Sequence, residues 1–307
     1  MRDLRIIYMG TPEFAVPALE GLVDAGYNVV AVITASDKPR GRGRKLAFSQ
    51  VKESALKRDI PVLQPTNLKA PEFVETLRSF NANLQVVVAF RMLPEVVWSM
   101  PEYGTFNLHA SLLPQYRGAA PINWAIINGE EETGVTTFYI KHEIDTGNIL
   151  FSEKEPILSD DDAGSLHDRL MSKGGGLVLK TVRAIEKNDY VLKSQIISEE
   201  LKAAPKIFKE DCRIEWDQSS EQIRNFVRGL SPFPAAWIEF QEKVVKIYKV
   251  EPRSDLSELK PGDMNTDGKS YLAFGTNDGA VNILDLRMEG KKRMSIEELL
   301  RGFKIMR

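Results

Sequence analysis

An asparagine and a histidine stand two residues apart, Asn107 and His109, at the end of Gly104-Thr105-Phe106-Asn107-Leu108-His109 and just ahead of the loop Ala110-Ser111-Leu112-Leu113-Pro114. In a strand, residues two apart share a face, so the amide and the imidazole point together while Phe106 and Leu108 turn into the opposite layer. Side by side, both can donate to one carbonyl oxygen, which makes an oxyanion site for acyl transfer. Further along, His142-Glu143-Ile144-Asp145-Thr146-Gly147 puts a carboxylate, Asp145, in a turn that Gly147 can close. A carboxylate near His109 would fix its tautomer and support its protonated form. No serine or cysteine stands out as an obligatory nucleophile. The chemistry is then direct attack by a substrate amine on a carbonyl carbon. Taken singly, a histidine after a strand is an ordinary structural residue and Asp145-Thr146-Gly147 an ordinary turn. Their order along one chain carries the argument.

These groups need a frame. Leu4–Met9, Asn28–Thr34, Leu84–Phe90 and Gly104–His109 read as buried strands, separated by helical spacing over Phe14–Ala25, Ser49–Arg58 and Pro71–Phe80. Alternating strand and helix with near-continuous apolar strands predicts an α/β fold with a Rossmann-like, doubly wound, mostly parallel sheet. Ligands of such sheets bind at the carboxyl ends of the strands, where Asn107 and His109 fall. The rhythm breaks at Asp37–Phe48, a Gly/Arg segment too polar to pack and expected to be mobile, and again around Asn188–Pro205. After the second break, short strands are expected at Arg213–Trp216, Ala236–Phe240, Lys243–Val250, Tyr271–Gly275 and Ala280–Leu286, with a helix at Ser220–Val227. That pattern fits a small open β-barrel of OB-like type. The division is residues 1–188 as a catalytic domain, 189–205 as a linker and 206–307 as the barrel.

Composition narrows the class. The chain has 307 residues, 43% apolar and 27% charged, with a net charge of −2. It is long enough for two domains. No run is apolar enough to span a bilayer and no signal peptide opens the chain, so the reading is cytoplasmic. The single cysteine, Cys212, reads as a packed core thiol, and three scattered histidines give no metal-ligand spacing. A net negative charge argues against a general nucleic-acid binder, but basic residues outnumber acids between Lys38 and Arg58, and a local patch can bind phosphates. No Gly-x-Gly-x-x-Gly follows the first strand, so the sheet need not bind a dinucleotide. Gly174-Gly175-Gly176 lies in a helical pattern and suits close packing or a kink.

The ordered set Asn107-x-His109, Ser111-Leu112-Leu113-Pro114-Gln115-Tyr116-Arg117-Gly118-Ala119-Ala120-Pro121 and Asp145-Thr146-Gly147 resembles the 10-formyltetrahydrofolate-dependent formyltransferase family. Met9-Gly10-Thr11-Pro12-Glu13-Phe14-Ala15 matches that family's first strand-to-helix turn. The resemblance implies catalytic roles for Asn107, His109 and Asp145. It implies a folate slot lined by Ser111, Leu112, Leu113 and Pro114, with the backbone near Arg91, Met92 and Leu93 facing the pterin. Folate is then a co-substrate, and neither a tightly bound cofactor nor a metal is implied.

Two further features resemble the branch whose acceptor is tRNA. Arg40-Gly41-Arg42-Gly43-Arg44-Lys45-Leu46 is similar to a basic insertion loop that reaches the acceptor stem. Pro205-Lys206-Ile207-Phe208-Lys209 through Trp216, Ser231–Trp237 and Gly290-Lys291-Lys292-Arg293-Met294 are similar to that branch's carboxy-terminal barrel. The implied reaction moves the formyl group of 10-formyltetrahydrofolate to the α-amino group of methionine on initiator tRNA. The implied tRNA contacts are Arg40, Arg42, Arg44, Lys45, Lys206, Lys209, Lys291, Lys292 and Arg293, and the protein is expected to act as a monomer. Formylation of an amino sugar on the same catalytic domain stays open as the alternative, as does an RNA-binding protein that has kept the fold without catalysis.

Overall fold

The computed structural model describes residues 1–40, 45–197 and 200–302, with the main chain only at 39, 40, 45 and 46. The chain forms two compact units that are discontinuous in sequence. The first comprises Met1–Arg117, Thr133–Glu155 and His167–Lys202; the second comprises Gly118–Glu132, Pro156–Leu166 and the chain from Ala203 onward. Two segments from within residues 1–188 thus belong with the carboxy-terminal strands.

The first unit is built on a seven-stranded sheet. In chain order its strands are β1 (Arg5–Gly10), β2 (Asn28–Ile33), β3 (Val62–Leu63), β4 (Leu84–Val88), β5 (Thr105–His109), β6 (Glu132–Tyr139) and β7 (Ile149–Pro156). In space they run β7-β6-β5-β4-β1-β2-β3. The pairs β1–β2, β1–β4, β2–β3 and β4–β5 are parallel, and β5–β6 is antiparallel. The order grows outward from β1 to β3 and then returns to the other side of β1 with β4. That reversal opens a crevice at the carboxyl ends of the parallel strands. Gly10 closes β1 there: a Cβ on it would sit 2.7 Å from the Ala15 Cβ and 3.1 Å from the Val88 carbonyl oxygen.

Burial on both faces explains the apolar strands. Ile7, Met9, Ala31, Ile33 and Val87 form one core with Phe73 and Leu77 of the helix Pro71–Ser79 and with Leu93 and Val97. Asn107 is in register with Val87 and shares its face. Leu108 faces the other way, onto the long helix Ala163–Lys187. The triple glycine lets that helix approach: a Cβ on Gly174 would meet Leu108 at 2.7 Å, and one on Gly175 would meet Pro17 at 3.0 Å. Gly174 and Gly175 serve close packing, whereas a Cβ on Gly176 would meet nothing within 4 Å.

The polar break at Asp37–Phe48 is not simply a loop. Lys38–Arg40 and Lys45–Ala47 pair as an antiparallel hairpin, anchored where Asp37 meets Lys52 at 2.6 Å. Backbone pairing does not need apolar side chains, so composition did not reveal it. Within the Asp37–Phe48 segment expected to be mobile, residues 41–44 lie outside the described residues.

The second unit carries a curled antiparallel sheet of six strands, Ala236–Phe240, Lys243–Arg253, Gly279–Met288, Leu272–Thr276 and Met264–Thr266 in spatial order, with Met294–Ser295 pairing to Gly279–Met288. The helix Ser220–Leu230 packs Ile223, Val227 and Leu230 into its core. A capping box starts that helix, Ser219 accepting from the Gln222 amide while Gln222 reaches back. The expected strand at Arg213–Trp216 is absent. Glu210–Cys212 is a 3-10 turn, and only Arg213 bridges to Trp237, because one paired residue beside a sheet edge does not build a strand. Cys212 is a buried free thiol whose Sγ lies 3.1 Å from the Phe208 carbonyl oxygen, and burial raises its pKa.

Candidate active site

Strand β5 ends at His109, which is buried, with Asn107 half-buried on the same face. Among the described residues, no side-chain hydrogen bond engages the Asn107 amide. His109 is held from two sides. Nε2 lies 2.8 Å from the backbone carbonyl oxygen of Tyr116. A carbonyl only accepts, so Nε2 carries a proton. Nδ1 faces the Asp145 carboxylate at 3.8 Å, and both side chains are largely shielded from solvent.

The loop after β5 is shaped to deliver that carbonyl. Ser111 is fully buried, and its hydroxyl donates to the Gln115 carbonyl at 2.7 Å. The Thr136 hydroxyl, on β6, donates to the Ser111 carbonyl at 2.7 Å and accepts from the Leu113 amide at 3.3 Å. Tyr116 sits at φ +60°, and its amide donates to the Lys202 carbonyl at 2.7 Å. A left-handed tyrosine is uncommon and persists when its surroundings fix it, as they do here.

The turn carrying Asp145 is equally constrained. Asp145 has φ +55°, and the Thr146 hydroxyl donates to the Glu143 carbonyl at 3.1 Å. Gly147 has no alternative: a Cβ there would lie 1.6 Å from the Tyr139 carbonyl oxygen. The side-chain amide of Gln195 donates to the carbonyls of Asp145 and Gly147, both at 2.8 Å. Its oxygen accepts from Arg117 Nε at 3.1 Å and Nη2 at 2.5 Å.

The remaining site residues fall out as follows. Leu112 and Pro114 are half-buried, whereas the side chains of Ser111 and Leu113 are packed inward. The Arg91 guanidinium donates to the Thr66 and Pro65 carbonyls, Met92 is exposed and Leu93 is in the core, so this segment has backbone to offer a ligand but few free side chains. In the second unit Lys206 lies over the Phe208 ring at 5.0 Å, and the Lys209 carbonyl accepts from Trp237. Lys291 and Lys292 are exposed, whereas Arg293 is paired with Asp285 at 2.6 Å and stacks over Tyr248. The side chains of Arg40 and Lys45 are not described, and Arg42 and Arg44 lie outside the described residues. His142 is exposed, and His167 sits against Phe14 and Asp168. Sequence reading missed Thr136, Tyr116 and Gln195. None carries a motif of its own, and each acts through backbone carbonyls that only the fold brings near.

A buried histidine between a carbonyl and a carboxylate, with an asparagine two residues before it at the end of a parallel strand, is an arrangement chemically suited to acyl transfer to an amine. The sequence model for formyl transferase matches residues 4–182, and that for the formyl transferase carboxy-terminal domain matches 206–304. The chain belongs to the formyl transferase family. Among curated family relatives, methionyl-tRNA formyltransferase of Bacteroides fragilis is 55% identical, the match covering 98% of this chain and 95% of the relative. That of Bacteroides thetaiotaomicron is 54% identical over 99% and 97%. Among solved structures, the sugar 3N-formyl transferase WlaRD, crystallised with dTDP and 5-N-formyl-THF, superposes with a TM-score of 0.67 at 21% identity, covering 95% of this chain and all of that one (100%). HypX from Aquifex aeolicus in complex with tetrahydrofolic acid gives 0.65 at 21% identity, over 97% of this chain and 47% of that one. Both likenesses extend over nearly the whole of this chain.

Proposed function

We infer that this chain transfers the formyl group of 10-formyltetrahydrofolate to the α-amino group of methionyl-initiator tRNA, giving N-formylmethionyl-tRNA for translation initiation. The observation that carries the reading is 55% identity over nearly the full length of a methionyl-tRNA formyltransferase. The geometry of Asn107, His109 and Asp145 supports it. The neutral amine attacks the formyl carbon, and its nitrogen bonds as the carbonyl π-pair moves onto oxygen. Asn107 donates to that oxyanion from preorganised geometry. With Nε2–H donating a hydrogen bond to the Tyr116 carbonyl, His109 has Nδ1 left to take the proton the amine must shed, becoming a cation beside the oxyanion and against Asp145. Collapse of the intermediate breaks the bond to the folate nitrogen, which receives the proton held by His109, returning the imidazole to its neutral form.

Folate acts as a co-substrate, with none tightly bound. Its slot is formed by the backbone of Arg91, Met92 and Leu93 and by Ser111, Leu112, Leu113 and Pro114, mainly through Leu112, Pro114 and main-chain groups. Arg40, Arg42, Arg44 and Lys45, together with Lys206, Lys209, Lys291, Lys292 and Arg293, face tRNA phosphates, with Arg293 contributing least because Asp285 already neutralises it. Residues 1–188 supply the chemistry, 189–205 link, and 206–307 serve tRNA binding. The enzyme works as a cytoplasmic monomer; no described helix is long and apolar enough to cross a membrane.

The deciding experiment incubates purified protein with 10-formyltetrahydrofolate and methionyl-tRNA, initiator and elongator in parallel. Rapid formylation of the initiator species alone is expected. Folded protein that binds folate yet formylates neither tRNA would overturn the assignment and direct the search to amino sugars.

A further inference from the structure

The segment 190–197 is largely exposed, with Val191, Leu192, Ile196 and Ile197 open to solvent. Gln195 is half-buried among them. Its backbone neighbours are moored to β7, Lys193 and Ile149 exchanging amide-to-carbonyl bonds of 3.0 and 2.8 Å. With the strand so fixed, the Gln195 side chain reaches inward to the Asp145 turn.

We propose that Gln195 is a positioning residue for catalysis, a clamp that sets the distance between Asp145 and His109. This rests on the formyl-transfer reading of that site. Four hydrogen bonds define the clamp: the amide nitrogen gives one to each of the Asp145 and Gly147 carbonyls, and the amide oxygen takes two from Arg117. The guanidinium only donates and the carbonyls only accept, so one amide orientation satisfies all four partners and the flipped one satisfies none. Arg117 directly follows Tyr116, whose carbonyl accepts a hydrogen bond from His109 Nε2. The interactions therefore close a ring: His109 to Tyr116, along the chain to Arg117, across to Gln195, on to the Asp145 backbone, and from the Asp145 carboxylate back to His109 Nδ1. A turn that holds Asp145 at positive φ needs such support, since the strained backbone otherwise relaxes. Gln195 touches no reacting atom. Its effect passes through where Asp145 stands.

The test uses the full chain with 10-formyltetrahydrofolate and methionyl-initiator tRNA. Gln195→Ala and Gln195→Glu are each expected to lower kcat about 10-fold, with both KM values nearly unchanged. Gln195→Glu keeps the partner of Arg117 but opposes two carbonyls with a carboxylate; it carries the comparison if Gln195→Ala fails to fold. In an Asp145→Asn background, adding Gln195→Ala should cost less than about twofold, because the carboxylate it places is gone. Unchanged kcat, or losses that multiply, would overturn the clamp. Hydrogen–deuterium exchange in residues 140–149, read without substrate, should quicken in Gln195→Ala, and unchanged exchange also overturns it. A parent protein that formylates no tRNA would sink the tRNA-acceptor reading instead, while exchange still judges the clamp.

Discussion

Nε2 of His109 donates to the backbone carbonyl of Tyr116 across 2.8 Å, and Tyr116 presents that carbonyl from a left-handed conformation. The bond fixes the imidazole tautomer with a main-chain atom, not with the carboxylate. Asp145 stands 3.8 Å from Nδ1, and in the proposed mechanism it answers the charge that appears when Nδ1 takes a proton. The usual division of labour in a histidine–carboxylate pair, in which the acid fixes the tautomer, is therefore split between two partners.

Asn107→Ala is expected to reduce kcat by at least about 100-fold with the fold intact, the scale of losing one preorganised oxyanion donor, and His109→Ala by at least about 100-fold through loss of the general base. Single-turnover formylation, with circular dichroism as the folding control, measures it. Near-normal turnover in either variant would remove that residue from the chemistry.

Gly147→Ala places a methyl 1.6 Å from the Tyr139 carbonyl oxygen, so the Asp145 turn must move. Forced overpacking costs about 1–3 kcal/mol. A misplacement on the order of 1 Å at the site costs about 100-fold in rate. Urea unfolding and kcat are expected to fall together. A variant with parental kcat would show that the turn's position is irrelevant to turnover.

Arg42→Ala with Arg44→Ala should raise the KM for tRNA while folate binding stays unchanged. The slope of log affinity against log salt should flatten by about one unit for each phosphate that is no longer neutralised. Equal weakening of both substrates would make the loop structural.

Glu155 pairs with Arg169 at 2.7 Å and Lys173 at 3.2 Å. Burial alone would raise its carboxyl; the two cations outweigh that and hold it below the ordinary range. A depressed folded value means the carboxylate stabilises the fold above its unfolded pKa, near about 4.3, and that the contribution disappears as pH falls through the folded value. Glu155→Gln should be less stable than the parent at pH 7 and indistinguishable at acid pH, as urea melts at several pH values would read. A gap that widens on acidification would contradict the sign.

Periodicity in the chain was enough to place the strands at Arg5–Gly10, Asn28–Ile33, Leu84–Val88 and Thr105–His109, because burial on both faces leaves an unbroken apolar record. Two-residue spacing put Asn107 and His109 on one face, and motif order assigned the family. What failed was backbone-driven structure. The Lys38–Arg40 and Lys45–Ala47 hairpin forms from main-chain pairing within a polar segment, and Arg213–Trp216 has strand-like residues but only one bridge to a neighbour.

The sequence by itself predicted the mostly parallel sheet and singled out Asn107, His109 and Asp145 as the candidate site, since each is written in side-chain type and spacing. Only the tertiary structure decided how they are held. The Tyr116 carbonyl, the Thr136 hydroxyl beneath the Ser111 loop and the Gln195 amide across the Asp145 turn come from separate stretches of chain. Each of these bonds has a main-chain oxygen at one end, and every residue carries that atom alike. A carbonyl leaves no mark in a sequence, and its direction is set when distant segments pack.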